Sequence, residues 1–204
     1  MNSCLSSSRW LGPGFCILLF VSGCSIIPNS DSTRQTWQEH QLKAQEIVNW
    51  HIKGKLGFKS SNQGGSANID WLQREEQYQI SMSGPLAAGR ATIKGDKRIA
   101  HMQRGKQHYS DTPQGLALQL TGLSLSVNDL VWWAKGIPSP HQALINNLNL
   151  TANGVATKFD QNGWQLIFSR YQVTSQGNLP RKIIGQRGQQ SFTLVISSWR
   201  FPSN

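Results

Sequence analysis

Ala67-Asn68-Ile69-Asp70-Trp71 and, beyond one polar turn, Tyr78-Gln79-Ile80-Ser81-Met82-Ser83 alternate apolar and polar side chains. A period of two belongs to a strand with one dry face and one wet face. The same pattern extends in both directions. Upstream, Trp50-His51-Ile52-Lys53-Gly54-Lys55-Leu56-Gly57-Phe58 places Ile52, Leu56 and Phe58 at even spacing, and Gly64-Gly65 reads as a turn. Downstream, Ala91 and Ile93 alternate with Thr92 and Lys94, Gly95-Asp96 turns, residues 98–103 continue, and Gly105 turns again into 107–110. Short alternating runs joined by tight turns predict an antiparallel meander.

Residues 112–136 interrupt the strands. Thr112-Pro113 is a helix start, with Pro at the first helical position, and Gly122 a helix end. Ser126 with Asp129 forms a capping box, Val127, Leu130, Val131 and Ala134 follow at helical spacing, Lys135 occupies the last turn, and Gly136 and Pro138 stop the helix. Both helices are too short to stand alone, so they are expected to lie on the sheet. After Pro138-Ser139-Pro140 the strands resume: Val155 to Phe159 weakly, then Asn162-Gly163 as a hairpin turn, Trp164, Leu166 and Phe168 in alternation, and two closing runs over 181–187 and 191–199. An N-terminal helix is expected over 33–49, capped by Ser32 with Gln35. About ten or eleven strands exceed what a flat sheet keeps without curling. The expected fold is mainly β (α+β): an unclosed antiparallel barrel with an N-terminal helix and a short helical lid on its concave side.

The first residues carry a different message. Arg9 supplies a positive charge, Phe15 to Val21 an apolar run too short to span a bilayer, and Ser22-Gly23 a small pair before Cys24. Val21-Ser22-Gly23-Cys24 looks like a lipobox, where a bacterial lipoprotein precursor is cut and its cysteine acylated. The expected organisation is a signal peptide over 1–23, an acylated N-terminus and tether over 24–32, and one domain over 33–204. The other two cysteines, Cys4 and Cys16, lie in the removed segment, so the mature chain has no disulfide. The eight residues after Cys24 reach at most about 26–29 Å, which keeps the domain close to its membrane.

The chain is basic, with Lys+Arg 20 against Asp+Glu 10 and a net charge of +10, and only Arg9 leaves with the signal. Such a surface favours an anionic partner. Acidic lipid head groups or an acidic protein fit a tethered envelope protein; no nucleic-acid motif is present. Neither a phosphate-binding loop, His-Glu-x-x-His nor Gly-x-Ser-x-Gly appears. The histidines His40, His51, His101, His108 and His141 stand at no metal-ligand spacing, and the adjacent acids Glu75-Glu76 point apart on an extended chain. No catalytic residue, metal or cofactor is assigned, and the chain reads as a binding protein rather than an enzyme.

The mature part holds seven tryptophans: Trp37, Trp50, Trp71, Trp132, Trp133, Trp164 and Trp199. Most suit a large aromatic core. A half-open barrel with a helical plug also makes a container for one apolar chain, with Trp50, Trp71, Ile80, Met82, Leu130, Trp132, Trp133, Trp164 and Phe168 as candidate lining residues. The connection Gly84-Pro85-Leu86-Ala87-Ala88-Gly89 is apolar in its middle, where hairpin loops ordinarily carry polar residues. Either Leu86 tucks under the sheet, or the loop projects as an apolar tip.

Several of these pieces, in this order and spacing, resemble the LolB family, the outer-membrane lipoprotein receptors of the Lol pathway. They are Trp50 to Gly57, Trp71, Gly84-Pro85-Leu86, Leu130-Val131-Trp132-Trp133-Ala134-Lys135-Gly136-Ile137-Pro138, Asn162-Gly163-Trp164, Leu179-Pro180 and Trp199. Ala87 stands where the family often has Gly. The resemblance implies an unclosed barrel with a helical lid over an apolar cavity. It implies acceptance of acylated lipoproteins from the soluble periplasmic carrier LolA and their insertion into the inner leaflet of the outer membrane. It assigns lipidation to Cys24 and membrane insertion to the loop Pro85, Leu86, Ala87. Ser25 after the cysteine implies outer-membrane sorting, facing the periplasm. The expected working form is a monomer that holds acyl chains and no nucleic acid. The alternative is an envelope-assembly or structural lipoprotein whose sheet binds a protein and whose interior is only core; a lipid-active enzyme is disfavoured, because no nucleophile–base pair can be placed.

Overall fold

The computed structural model describes residues 30–84, 89–140 and 144–202. Cys24, Pro85, Leu86 and Ala87 lie outside these residues. The chain begins with α1 (Ser30–Glu46) and six strands, β1 (Asn49–Lys59), β2 (Gly64–Arg74), β3 (Gln77–Gly84), β4 (Gly89–Gly95), β5 (Ala100–Arg104) and β6 (Gln107–Asp111). Two helices follow, α2 (Pro113–Thr121) and α3 (Val127–Trp133). Seven strands complete it: β7 (Asn146–Leu150), β8 (Ala156–Gln161), β9 (Trp164–Ser169), β10 (Gln172–Thr174), β11 (Gly177–Leu179), β12 (Lys182–Arg187) and β13 (Gln190–Arg200).

Eleven strands form one sheet in the order β6-β5-β4-β3-β2-β1-β13-β12-β9-β8-β7, and β10 and β11 make a separate hairpin. Each adjacent pair is antiparallel, and β6 and β7 stand at opposite edges, so the barrel is unclosed, as the strand count predicted. The centre is the pairing of the first strand with the last. Its register sets Ile52 against Trp199, Leu56 against Leu194 and Phe58 against Phe192, apolar opposite apolar. A one-residue slip would turn every one of these side chains to water. The register shifts once, between Lys53 and Gly54. A side chain at Gly54 would strike the Val195 carbonyl, so only glycine fits beside this bulge.

The inner face buries Trp50, Ile52, Ile69, Trp71, Ile80 and Met82 on one arm, and Phe159, Trp164, Leu166, Phe168, Ile183 and Phe192 on the other. The helices lie against it. In α2 the Thr112 hydroxyl caps Gly115 N–H at 3.1 Å, and Gly122, at φ 67°, ends the helix in the left-handed region. In α3 the Ser126 hydroxyl caps Asp129 N–H at 3.3 Å, as the capping box predicted.

Several elements depart from the sequence expectation. Helix α1 runs Ser30–Glu46 rather than 33–49, so Ser32 lies inside it rather than at its cap. Val48 is exposed and its carbonyl accepts from Glu75 N–H at 3.0 Å, because the backbone is already turning into β1. Strand β7 was not expected. Its Asn-Asn-Leu-Asn-Leu sequence is rich in a residue depleted from strands, Asn147 sits at φ 54°, and its register with β8 shifts twice. The hairpin β10–β11 has only three residues per strand, too few for a visible alternation.

Lys135 departs furthest. Expected in the last turn of a helix, it is 1% exposed. Its Nζ donates to the Ile47 carbonyl at 3.2 Å and lies 4.2 Å from the Trp132 ring centroid. It thereby ties the end of α3 to the junction of α1 and β1. Burial pushes its amine down from the usual 10.5 to about 8.

Two outcomes follow from these positions. Gly54→Ala loses about 2–3 kcal/mol of unfolding free energy in urea titration, from forced displacement of β13. Gly57→Ala on the same strand, where an added carbon meets its nearest atoms at 3.9 Å, changes it by less than about 0.5 kcal/mol; equal losses would refute the steric role. For Lys135, the amine is charged in both folded and unfolded chains below about 8, and the burial cost is fully felt. Between about 8 and 10.5 only the unfolded chain holds the proton, so stability rises with pH. The gain from pH 7 to 9.5 is about 2 kcal/mol, and Lys135→Met removes it; an unchanged slope in the variant would assign the effect elsewhere.

Candidate functional site

Beneath α2 lies an apolar hollow of about 70 Å³. Alternate residues of neighbouring strands build its floor: Ile69 and Trp71 from β2, Ile80 and Met82 from β3, Ile93 from β4, Leu194 from β13. They converge because the strand period sends every second side chain inward. Its roof is Pro113, Leu116 and Leu120 of α2, and Leu123, Leu125 and Leu130 close one side. Two hydroxyls reach the lining. That of Thr121 donates to the Ala117 carbonyl at 2.6 Å. That of Tyr78, whose residue is 5% exposed, has no hydrogen-bond partner among the described residues. Burial pushes this phenol up to about 12, with Asp96 adding to the shift.

Four of the nine candidate lining residues meet here: Trp71, Ile80, Met82 and Leu130. The other five lie elsewhere. Trp50 packs between Trp71, tilted, and Trp199, edge-on, with ring centroids at 5.0 and 5.6 Å. Trp164 packs edge-on against Phe192 at 5.3 Å, and Phe168 stacks on Phe159 at 4.9 Å. Trp133 donates its indole N–H to Gln161 at 2.8 Å, and Trp132 covers Lys135. The lining residues that sequence reasoning did not single out come mostly from α2. The Leu116-Leu120-Leu123 run was visible, but periodicity alone did not show that its dry side faces a gap.

The two lid helices are held differently. Around α3 the attachments are directional: Trp133 to Gln161, Asn162 to Asp129 at 2.8 Å, and Asn128 to the Lys97 carbonyl at 2.9 Å. Along α2 the attachment is apolar contact. Among the described residues no hydrogen bond runs from the helix itself to a strand: Gln114 donates to the Ser124 hydroxyl at 2.9 Å, and past the helix end Arg187 donates to the Ser124 carbonyl at 2.8 Å and Gln190 to the Gly122 carbonyl at 3.4 Å. Leu118 on its outer side is 49% exposed.

Larger hollows on the outside have another character. One of about 400 Å³ is open to solvent and mixed, with Leu72, Tyr78 and Ile99 beside Arg74, Lys94, Asp96 and His101, and one of about 760 Å³ beside Glu75 and Glu76 is open and mostly polar. Among the described residues no three His, Cys, Asp or Glu side chains gather as metal ligands would, and no helix is long and apolar enough to cross a membrane. His51 bonds Asp70 at 2.6 Å on the outer face, and His101 bonds Ser110 at 2.7 Å across β5 and β6.

Residues 48–199 match the family model described as outer membrane lipoprotein LolB. The chain is similar to the outer-membrane lipoprotein LolB of Pseudomonas paraeruginosa, 30% identical over 190 residues that cover 90% of this chain and 92% of that one. It is likewise similar to that of Ectopseudomonas mendocina, 29% identical, covering 91% and 94%. Among solved structures it shares its fold with a LolA superfamily protein from Nitrosomonas europaea, at a TM-score of 0.58 and 10% identity, covering 82% of this chain and 94% of that one. The sequence match extends from just before β1 through almost all of β13, the same two strands whose pairing joins the sheet. The chain belongs to the outer membrane lipoprotein LolB family.

Proposed function

We propose that this chain is an outer-membrane lipoprotein receptor that takes acylated lipoproteins from a soluble periplasmic carrier of the LolA type, holds their acyl chains under α2, and releases them into the membrane. The observation that carries the reading is an apolar hollow roofed by a helix that, among the described residues, meets the strands beneath it through apolar contact and is tied by hydrogen bonds chiefly at its end. At about 70 Å³ the hollow has room for little more than two waters, each with a share of about 30 Å³ in the liquid. An acyl chain therefore enters by replacing α2. Leu116 and Leu120 leave the floor and methylenes take their place, each contributing about 0.8 kcal/mol. One set of apolar contacts substitutes for another, so the exchange costs little and needs no nucleotide. A difference of about 1.4 kcal/mol between carrier and receptor biases transfer tenfold. Helix α3 stays fixed and keeps the open state from unravelling. Cys24 is the lipid anchor in this reading, and Leu86, with Pro85 and Ala87 beside it, is the apolar tip that enters the bilayer.

The competing reading, a structural envelope lipoprotein, draws on the small size of the closed hollow and requires that α2 never lift. Titration with a fluorescent fatty acid separates the two. The chain is expected to bind the probe, and Ile80→Trp, which fills the floor, to weaken binding roughly tenfold through the loss of about two methylenes' worth of contact. No uptake by the unaltered chain overturns the receptor reading. With a carrier loaded with one lipoprotein, Leu86→Glu is expected to accept cargo and fail to deposit it; normal deposition removes the tip from the mechanism.

A further inference from the structure

The two rims of the sheet carry different charge. Following the ladders, the ends of β1, β3, β5, β8 and β12 lie at one rim, and the turns 59–64, 104–107, 161–164 and 187–190 sit there with the start of β4. These turns and Arg90 contain Lys59, Arg90, Arg104, Lys106 and Arg187 and not one carboxylate. Arg187 is committed: its guanidinium holds the Ser124 carbonyl and lies 4.8 Å from the Trp164 ring centroid. The other four make no ion pair among the described residues, and Lys59, Arg90 and Lys106 are exposed. The opposite rim is mixed. It carries Glu75, Glu76, Asp96 and Asp111 with Arg74, Lys97 and Arg98, and Lys97 pairs with Glu76 at 2.9 Å.

We infer that the cationic rim lies on the anionic head groups of a phospholipid surface and sets the end-on orientation of the domain. The inference rests on the receptor reading, because it takes a membrane to be within the tether's reach. Its support is independent of the hollow. Lys59 ends β1, Arg90 and Arg104 lie on β4 and β5, and Lys106 in the turn after β5, so the four free cations span about 20 Å at about 4.8 Å per strand. The described residues between them are small or polar: Ser61, Asn62, Gln63, Gly64 and Gly105. Cations without carboxylate partners, three of them gathered on β4, β5 and the turn after β5, suit a fluid layer of negative head groups. The rim also receives the end of α2. Gly122 packs against Ser60 and Gln63, and its carbonyl accepts from Gln190. The end of the hollow's roof is thus presented to the same surface.

The test uses the acylated full chain in vesicles. With the Cys24 thiol blocked by lipid and no cysteine after it, one introduced cysteine takes a fluorophore uniquely. Ser61→Cys reports on the cationic rim and Gln77→Cys on the opposite one. Vesicles are phosphatidylcholine with or without phosphatidylglycerol, each with a head-group quencher. The expected result at low salt is roughly threefold stronger quenching of the Ser61→Cys label when phosphatidylglycerol is present, with the Gln77→Cys label unchanged. The difference disappears in about 1 M salt, where screening acts within about 3 Å, and in the combined variant Lys59→Gln, Arg90→Gln, Arg104→Gln, Lys106→Gln. Equal quenching of both labels overturns the inference. So does a combined variant that keeps its quenching but no longer accepts cargo, which would assign the rim to a protein. A chain that shows the rim effect yet binds no fatty acid sinks the receptor reading and leaves the rim standing.

Discussion

The pairing of β1 with β13 is the constraint on which the structure depends. It brings the two ends of the domain's sequence together at the centre of an eleven-stranded sheet, and every other strand is added outward from that ladder. Its register decides which face is dry. Once Ile52, Leu56 and Phe58 meet Trp199, Leu194 and Phe192 on one side, each neighbouring strand must set its apolar alternation to the same side. The long separation between these partners makes closure of this ladder slow relative to the local hairpins, because loop-closure entropy opposes it until late.

A single dry face on so long a sheet has more area than two short helices cover. The right arm solves this with its own aromatics: Phe159, Trp164, Phe168 and Phe192 fill the space between β8, β9, β12 and β13. The left arm relies on α2, whose leucines meet Ile69, Ile80 and Ile93 and leave a gap. The asymmetry has a physical basis. Packed rings are rigid and interlocked, whereas the nine-residue α2 rests on mostly apolar side chains and, among the described residues, sends no hydrogen bond of its own to the strands. One half of the molecule is therefore locked by ring against ring, and the other is covered by a helix laid on an apolar floor.

Much of this was legible in the sequence. The alternating runs around Trp71 and Ile80 gave the sheet, Thr112-Pro113, Gly122 and Ser126 gave the lid helices, and the strand count gave curvature. The resemblance to a family rested on pieces that the family match now covers from residue 48 to 199. What escaped the reading depends on partners distant in the chain. Lys135 reads as a cation in the last turn of a helix until Ile47 and Trp132 are known to surround it. Trp133 reads as a lining residue until Gln161, buried on β8, is seen to accept its N–H. Strand β7 has no alternation of its own and is held by its neighbour. The lining split, four residues to five, because a tryptophan's hydrophobicity does not say whether a second ring already occupies the space in front of it.

An open sheet leaves two borders where backbone N–H and C=O groups have no ladder, and such borders template association with other chains. Here β6 is short and carries Gln107, His108 and Ser110, while β7 is interrupted twice in register and bent at Asn147. Neither offers a long, flat, greasy edge for a stranger's strand. The irregular, asparagine-rich strand that resisted reading thus gives a half-built barrel a border ill suited to extension by another strand.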